Sequence, residues 1–251
     1  MKHLIPADAR RIFRIASRWL QDIVNGQRSQ FVKPAARSAL KTGQHWPIQL
    51  ELTQSIKVTD FSENKIHNLA LAAQSINDVV INPQQIFSLW ALIGAPTQQR
   101  GYLPGRSLVK QQLQAEYGGG LCQLSGLLYH LALTAGLTVL ERHPHSVDLY
   151  TEETRFAPLG SDATVVYGYK DFRFLNSLPQ PICVQIVVGK DFVTGQICSE
   201  GAIAKYQVEF IAQYSDHYVK IETLQWPENS SALKQSLGKS RYHPQRHVLN
   251  E

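Results

Sequence analysis

Apolar positions recur along this chain with two periods, and the period changes near its middle. Between Arg10 and Val24, residues Ile12, Ile15, Ala16, Trp19, Leu20 and Ile23 return every three or four positions, with Arg10, Arg11, Arg14 and Arg18 beside them. That spacing predicts an amphipathic helix with a basic flank. A second helix is predicted from Glu63 to Val80, where Ile66, Leu69, Ala70, Ala73, Ile76 and Val80 share a face that reads as core, with Pro83 beyond it as the stop. Gln85 to Leu92 reads as an extended, mostly buried run. Leu124, Leu127, Leu128, Leu131 and Ala135 then define one face of a third helix, ended by Gly136. Beyond it the pattern turns to strands: Leu137 to Leu140, Ala163 to Tyr167, Phe172 to Leu175, Ile182 to Val188, Phe192 to Cys198, Tyr206 to Ala212 and His217 to Leu224. Gly189-Lys190-Asp191 supplies a hairpin turn between two of them.

These elements predict an α+β fold: an antiparallel sheet with a central helix starting at Gly118-Gly119-Gly120-Leu121-Cys122. At 251 residues and 43% hydrophobic the chain can bury a full core. The predicted organisation is a basic amphipathic helix and linker over 1–47, an α+β domain over 48–225 and a polar, peripheral tail over 226–251. No apolar run approaches the roughly 20 residues of a membrane span. Met1 to Arg18 lacks the apolar centre of a secretory signal, so a cytoplasmic chain, peripheral at a membrane, is the expectation.

Charge changes the picture at the N-terminus. Residues 1–45 hold nine Lys/Arg against Asp8 and Asp22, a net of +7, whereas residues 46–251 carry a net of −2. A core without a basic surplus argues against nucleic acid as partner. The basic helix over residues 10–24 fits two readings equally, an anionic membrane surface or packing on the domain with its arginines solvated. Cys183 and Cys198 lie in predicted strands and read as buried reduced thiols, with a bridge open to them in an exported chain. No CxxC or HExxH spacing suggests a metal, and no cofactor is called for.

The candidate chemistry begins at Cys122. A cysteine in the first turn of a helix lies near unpaired backbone N–H groups and the positive end of the helix dipole, which favours the thiolate. Gly119 and Gly120 let backbone N–H groups approach a ligand or a developing oxyanion. About twenty residues on, Glu141-Arg142-His143-Pro144-His145-Ser146 follows a predicted strand. A strand returning beside the helix start can bring His143 or His145 to the sulfur as its base. Arg142 suits a carboxylate or an ion pair with Glu141. Asp162 either orients the histidine or a substrate amine, or forms a turn. Tyr129, behind Cys122 on the helix, reads as packing.

The run from Ile81 to about Asn176 resembles the VanW family, named after an accessory protein of some vancomycin-resistance gene clusters. The likeness lies in Ile81-Asn82-Pro83, Phe87-Ser88, Gly94-Ala95-Pro96-Thr97, Gly101-Tyr102, Gly118 to Gln123, Glu141 to Ser146, Asp162 to Val165 and Tyr169 to Phe172. Where the family usually shows Pro-Gly-Glu before its Phe-Ser pair, this chain has Pro83-Gln84-Gln85. Some multidomain members are reported as cysteine-dependent L,D-transpeptidases of peptidoglycan, with the cysteine matching Cys122.

By that resemblance Cys122 is the nucleophile and His145, in the steadier His-Ser part of the pattern, the base. Gly119, Gly120, Gln123, Arg142, His143, Ser146 and Asp162 form the oxyanion or substrate-binding surround. The substrate expected is a peptidoglycan stem peptide or precursor. Crosslinking happens outside the cytoplasm, and thiol chemistry on soluble precursors would reconcile the resemblance with the expected location. The alternative functions are a non-catalytic module whose glycine loop and Arg142 bind cell-wall fragments, and a membrane-apposed accessory protein.

Overall fold

In the computed structural model, residues 7–34, 46–109, 112–148, 155–229 and 233–243 are described. The helices are α1 (Ala7–Val24), α2 (Ser62–Ile76), α3 (Leu89–Ile93) and α4 (Leu121–Thr134). Strands β1 (Ile48–Ser55), β2 (Val79–Ile81), β8 (Ile182–Val188) and β9 (Phe192–Cys198) form a sheet in the order β1-β9-β8-β2. A second sheet, β3-β7-β6, joins β3 (Ile86–Ser88), β7 (Arg173–Leu175) and β6 (Thr138–Glu141). The meander β10 (Tyr206–Tyr214), β11 (Val219–Pro227), β12 (Gln235–Tyr242) and the hairpin β4 (Pro104–Val109), β5 (Gln112–Tyr117) complete the α+β fold. Every ladder between these strands is antiparallel.

Helix α4 is the central element. It packs against β1, β9, β10, β6 and α2. The predicted single apolar face understates its burial, because Gln123, Ser125, Tyr129 and Leu133 are buried along with Leu124, Leu127, Leu128 and Leu131. A helix enclosed on all sides is apolar on all sides, apart from polar groups with specific partners. Gly195 of β9 has no side chain to hold α4 away. A Cβ there would sit 3.3 Å from both Leu127 and Leu131. Each leucine so buried contributes about 1.5–3 kcal/mol of transfer free energy. In the second sheet, Phe87 and Phe174 stack at 4.8 Å, with Phe172 tilted against both.

Several boundaries differ from expectation. Helix α2 stops at Ile76 because Asp78 takes a positive φ of 64° and starts β2, which claims Val80. Only the first part of Gln85–Leu92 is extended. Ser88 caps α3, accepting from the Ala91 N–H, and turns the chain into a short helix. Ala163–Tyr167 joins none of these sheets; the Ala163 and Val165 carbonyls meet the side chains of Ser125 and Cys122 instead. Within the segment predicted as helix and linker, residues 25–34 pack on the domain: Phe31 and Val32 are buried, and the Val32 N–H donates to the Ile86 carbonyl. Residues 35–45 of the predicted linker lie outside the described residues.

The largest difference is at the C-terminus. The expected peripheral tail supplies β12, and Tyr242 at its end is fully buried. Cys183 and Cys198 face each other across β8 and β9 as free, buried thiols. Burial pushes the Cys183 thiol up to about 12. No helix among the described residues is long and apolar enough to cross a membrane.

Candidate active site

The glycine loop and α4 place Cys122 second in its helix and only half-buried. Gly120 turns the loop into the helix at φ 103°, a left-handed conformation open to glycine. The loop is clamped from α2. Asn68, fully buried, donates to the Leu103 and Gly119 carbonyls (3.0 and 3.1 Å) and accepts from the Leu103 N–H at 2.8 Å. The backbone N–H groups of Gly119, Gly120 and Cys122 have no acceptor among the described residues. They are the unpaired donors a helix N-terminus offers.

Opposite α4 runs the segment 161–165. Gly126, inside the helix, lets it approach: a Cβ there would lie 3.3 Å from the Asp162 Cα and the Ser161 carbonyl oxygen. Ser125 donates to the Ala163 carbonyl at 2.5 Å, and the Cys122 thiol points to the Val165 carbonyl at 3.8 Å. The Thr164 N–H donates to the His143 carbonyl at 2.7 Å, tying this segment to the one leaving β6.

These contacts bring Cys122, His145 and Asp162 together. His145 Nδ1 bonds Asp162 Oδ2 at 2.6 Å, and the His145 backbone N–H donates to the same oxygen at 2.6 Å. Burial alone would lower the proton affinity of His145. Hydrogen bonds with Asp162 and Cys122, and the charge on both, outweigh it and push the imidazole up to about 10. Asp162 is held well below the usual carboxylate range: burial opposes this, but His145, Arg142 and Tyr242 all favour its anion. With Nδ1 turned to the carboxylate, Nε2 is the nitrogen left for sulfur or substrate.

Arg142 backs the carboxylate. Its Nη2 donates to Asp162 Oδ1 (2.9 Å), the Gly160 carbonyl (2.8 Å) and the Tyr242 hydroxyl (2.9 Å). Its Nε donates to the Asp162 carbonyl at 2.7 Å, its Nη1 to Ser240, and the guanidinium covers the Tyr129 ring at 4.8 Å. Arg142 is therefore spent on the protein and has little left for a substrate carboxylate. Its ion-pair partner is Asp162 rather than Glu141.

The remaining expected residues lie around this centre with other partners. His143 bonds Glu141 at 2.9 Å, and burial, with the Lys170, Arg18 and Arg142 cations, lowers its proton affinity. Gln123 is buried and donates to the Ser55 carbonyl at 2.9 Å. Ser146 is exposed, and its carbonyl accepts from the His243 N–H.

Sequence reasoning missed four contributors. Tyr242 donates to Asp162 Oδ1 at 2.6 Å from a strand whose residues show no apolar alternation. Asn68 and Ser125 carry a faint signal, as polar residues among apolar helix positions. The fourth is Lys65, whose stem lies against the cysteine loop. A Cβ on Gly120 would come within 2.8 Å of its Cγ. Its ammonium lies 5.9 Å from the Phe156 ring centre, and no carboxylate among the described residues pairs with it. Burial pushes this lysine down to about 8.

A family model described as VanW like protein matches residues 64–198, more than half of the chain, including Lys65, Cys122, His145 and Asp162. The chain belongs to the VanW family. Over 124 residues it is 36% identical to the uncharacterized protein YoaR of Bacillus subtilis (strain 168), covering 49% of this chain and 39% of that one. Over 173 residues it is 28% identical to the vancomycin B-type resistance protein VanW of Enterococcus faecalis (strain ATCC 700802 / V583), covering 66% of this chain and 63% of that protein. The chain thus spans less than two thirds of either relative. No solved structure matches it significantly. Helix α1 and Tyr242 lie outside the VanW match, so part of the carboxylate's surround comes from outside it.

Proposed function

We propose that this VanW-family protein is a cysteine-dependent acyl-transfer enzyme acting on a peptide with an anionic group near the scissile bond. The observation that carries this reading is the constellation of a helix-terminal Cys122, His145 beside it and Asp162 behind the imidazole. Such an arrangement is a nucleophile with its base and the group that orients the base.

In the reaction, the Cys122 sulfur, its proton passed to His145, bonds the substrate's carbonyl carbon. The carbonyl oxygen takes up the negative charge, and the free N–H groups of Gly119, Gly120 and Cys122 are the donors on hand to stabilise it. As the C–N bond breaks, His145 gives its proton to the leaving amine. An incoming amine or water then attacks the thioester and returns a proton to His145, and the thiolate leaves. Asp162 keeps Nδ1 protonated throughout, and Arg142 and Tyr242 keep Asp162 ionised. Lys65, the cation beside the loop, is suited to a substrate carboxylate in the role first expected of Arg142. Peptidoglycan stem peptides or soluble precursors carry such carboxylates. The resemblance to a vancomycin B-type resistance protein supports that substrate class.

The test is incubation of the protein with muropeptides and soluble precursors, with mass spectrometry of both partners. A covalent acyl adduct on Cys122, or a product absent with Cys122→Ala and His145→Gln, is the expected result. Saturable binding without turnover, unchanged by Cys122→Ala, would assign the site to a binding module instead.

A further inference from the structure

Helix α1 is docked with its amphipathic faces reversed. Arg18, Asp22 and Ile15 share the face turned to the domain. Asp22 is buried in a two-pronged ion pair with Arg173 (2.6 and 2.8 Å), and Arg18 bonds Glu141. Ile15 rests on Gly168, where a Cβ would sit 2.2 Å from its Cγ1. The opposite arc holds Ile12, Phe13, Leu20, Ile23 and Val24, and all five are exposed, Phe13 at 74% and Val24 at 75%. Trp19, half exposed at the rim, carries the Arg28 guanidinium on its ring at 5.1 Å. A helix that merely packs on a domain buries its apolar side. This one binds the domain through ion pairs and leaves a contiguous apolar face outside, a sign of an interaction site.

Charge selects the occupant. Between residues 9 and 34 the sole acidic residue is Asp22, and Arg173 neutralises it. Residues 1–45 carry a net +7, so a second copy pairing through this face would bring two such segments together. An anionic lipid surface would attract them and accept the apolar side chains between its headgroups. We infer that the outward face of α1 seats the protein on an anionic membrane surface, with Ile12, Phe13, Leu20, Ile23 and Val24 entering the headgroup boundary. Because Arg18 is anchored on Glu141, at the end of the strand that runs into His143 and His145, the seated helix would hold that edge of the candidate site toward the lipid.

The full chain should be sedimented with vesicles of phosphatidylcholine alone and of phosphatidylcholine mixed with phosphatidylglycerol, at low and high salt. The expected result is binding to the phosphatidylglycerol vesicles that salt weakens several-fold. Phe13→Ser and Leu20→Ser should each weaken it by roughly tenfold, without lowering the thermal midpoint, since both side chains already face water. Undiminished binding by the double variant would overturn the inference, as would equal binding to both vesicle types or none to either. A chain that dimerises without lipid, and that the same substitutions make monomeric, would assign the face to a second copy.

Discussion

Replacing Asp162 by asparagine probes the centre of the proposed machinery with almost no change of shape. Four donors converge on this carboxylate: the backbone N–H and Nδ1 of His145 on Oδ2, Arg142 Nη2 and the Tyr242 hydroxyl on Oδ1. A carboxylate accepts on both oxygens, whereas an amide accepts on one and brings two N–H groups on the other. Whichever way the amide turns, two of the four donors meet a donor. The Tyr242 hydroxyl can rotate to accept, but the Arg142 guanidinium and the His145 N–H cannot. Each such donor left without an acceptor costs about 1–3 kcal/mol, and the lost charge leaves the part-buried Arg142 short of its counter-ion. The expected destabilisation is about 2–5 kcal/mol, a drop in thermal midpoint of roughly 5–15 °C for a chain of this size. Function gives a second readout. Without the carboxylate the imidazole loses the partner that holds its proton, so iodoacetamide alkylation of Cys122 should slow at neutral pH, with Cys183 and Cys198 as buried internal references. A variant with a midpoint within a degree of the parent and an unchanged alkylation rate would refute the assignment of Asp162.

Three further outcomes follow from the same geometry. The His145 imidazole is raised to about 10 from an ordinary 6.5, so its stabilisation is full below about 6.5 and is lost as pH rises toward 10. Asp162 is depressed, so its share is present above about 3.8 and is lost as pH falls through its lowered value. Denaturant midpoints should therefore peak in mildly acidic buffer, and His145→Gln should flatten the alkaline limb; a limb of the same slope in the variant would contradict the pairing. Gly126→Val should cost about 1–3 kcal/mol by overpacking and also slow Cys122 alkylation, because its methyls would press on the backbone that carries Asp162. Lys65→Met should raise KM for a carboxylate-bearing peptide about tenfold or more with little change in kcat, and equal losses in both would place Lys65 in the chemical step instead.

Much of the site was legible in residues close together in the chain. Cys122 follows three glycines and precedes a helical pattern, so its position in the first turn could be read directly. The choice between His143 and His145 rested on resemblance, and the structure separates them by partner: His143 goes to Glu141 and His145 to Asp162. The segment Ala163–Tyr167 has strand composition, yet side chains of Cys122 and Ser125 take its carbonyls. A propensity reading cannot see such competition for backbone groups. Arg142 shows the same limit, since five donors on one guanidinium fix its role only once their acceptors are known.

The periodicity of the chain by itself determined the three long helices, the β8–β9 hairpin, the antiparallel character of the sheets and the place of Cys122, because each is encoded within a few turns or one strand pair. Tertiary structure decided the rest. The membership of Tyr242 and Lys65 in the site depends on contacts with residues 80 and 55 positions away in the chain, for which no local pattern exists. The outward turn of α1 was decided in the same way. An amphipathic stripe specifies which residues share a face, but which face meets the domain depends on Arg173 and Glu141, more than a hundred residues downstream, whose ion pairs with Asp22 and Arg18 hold the polar side inward.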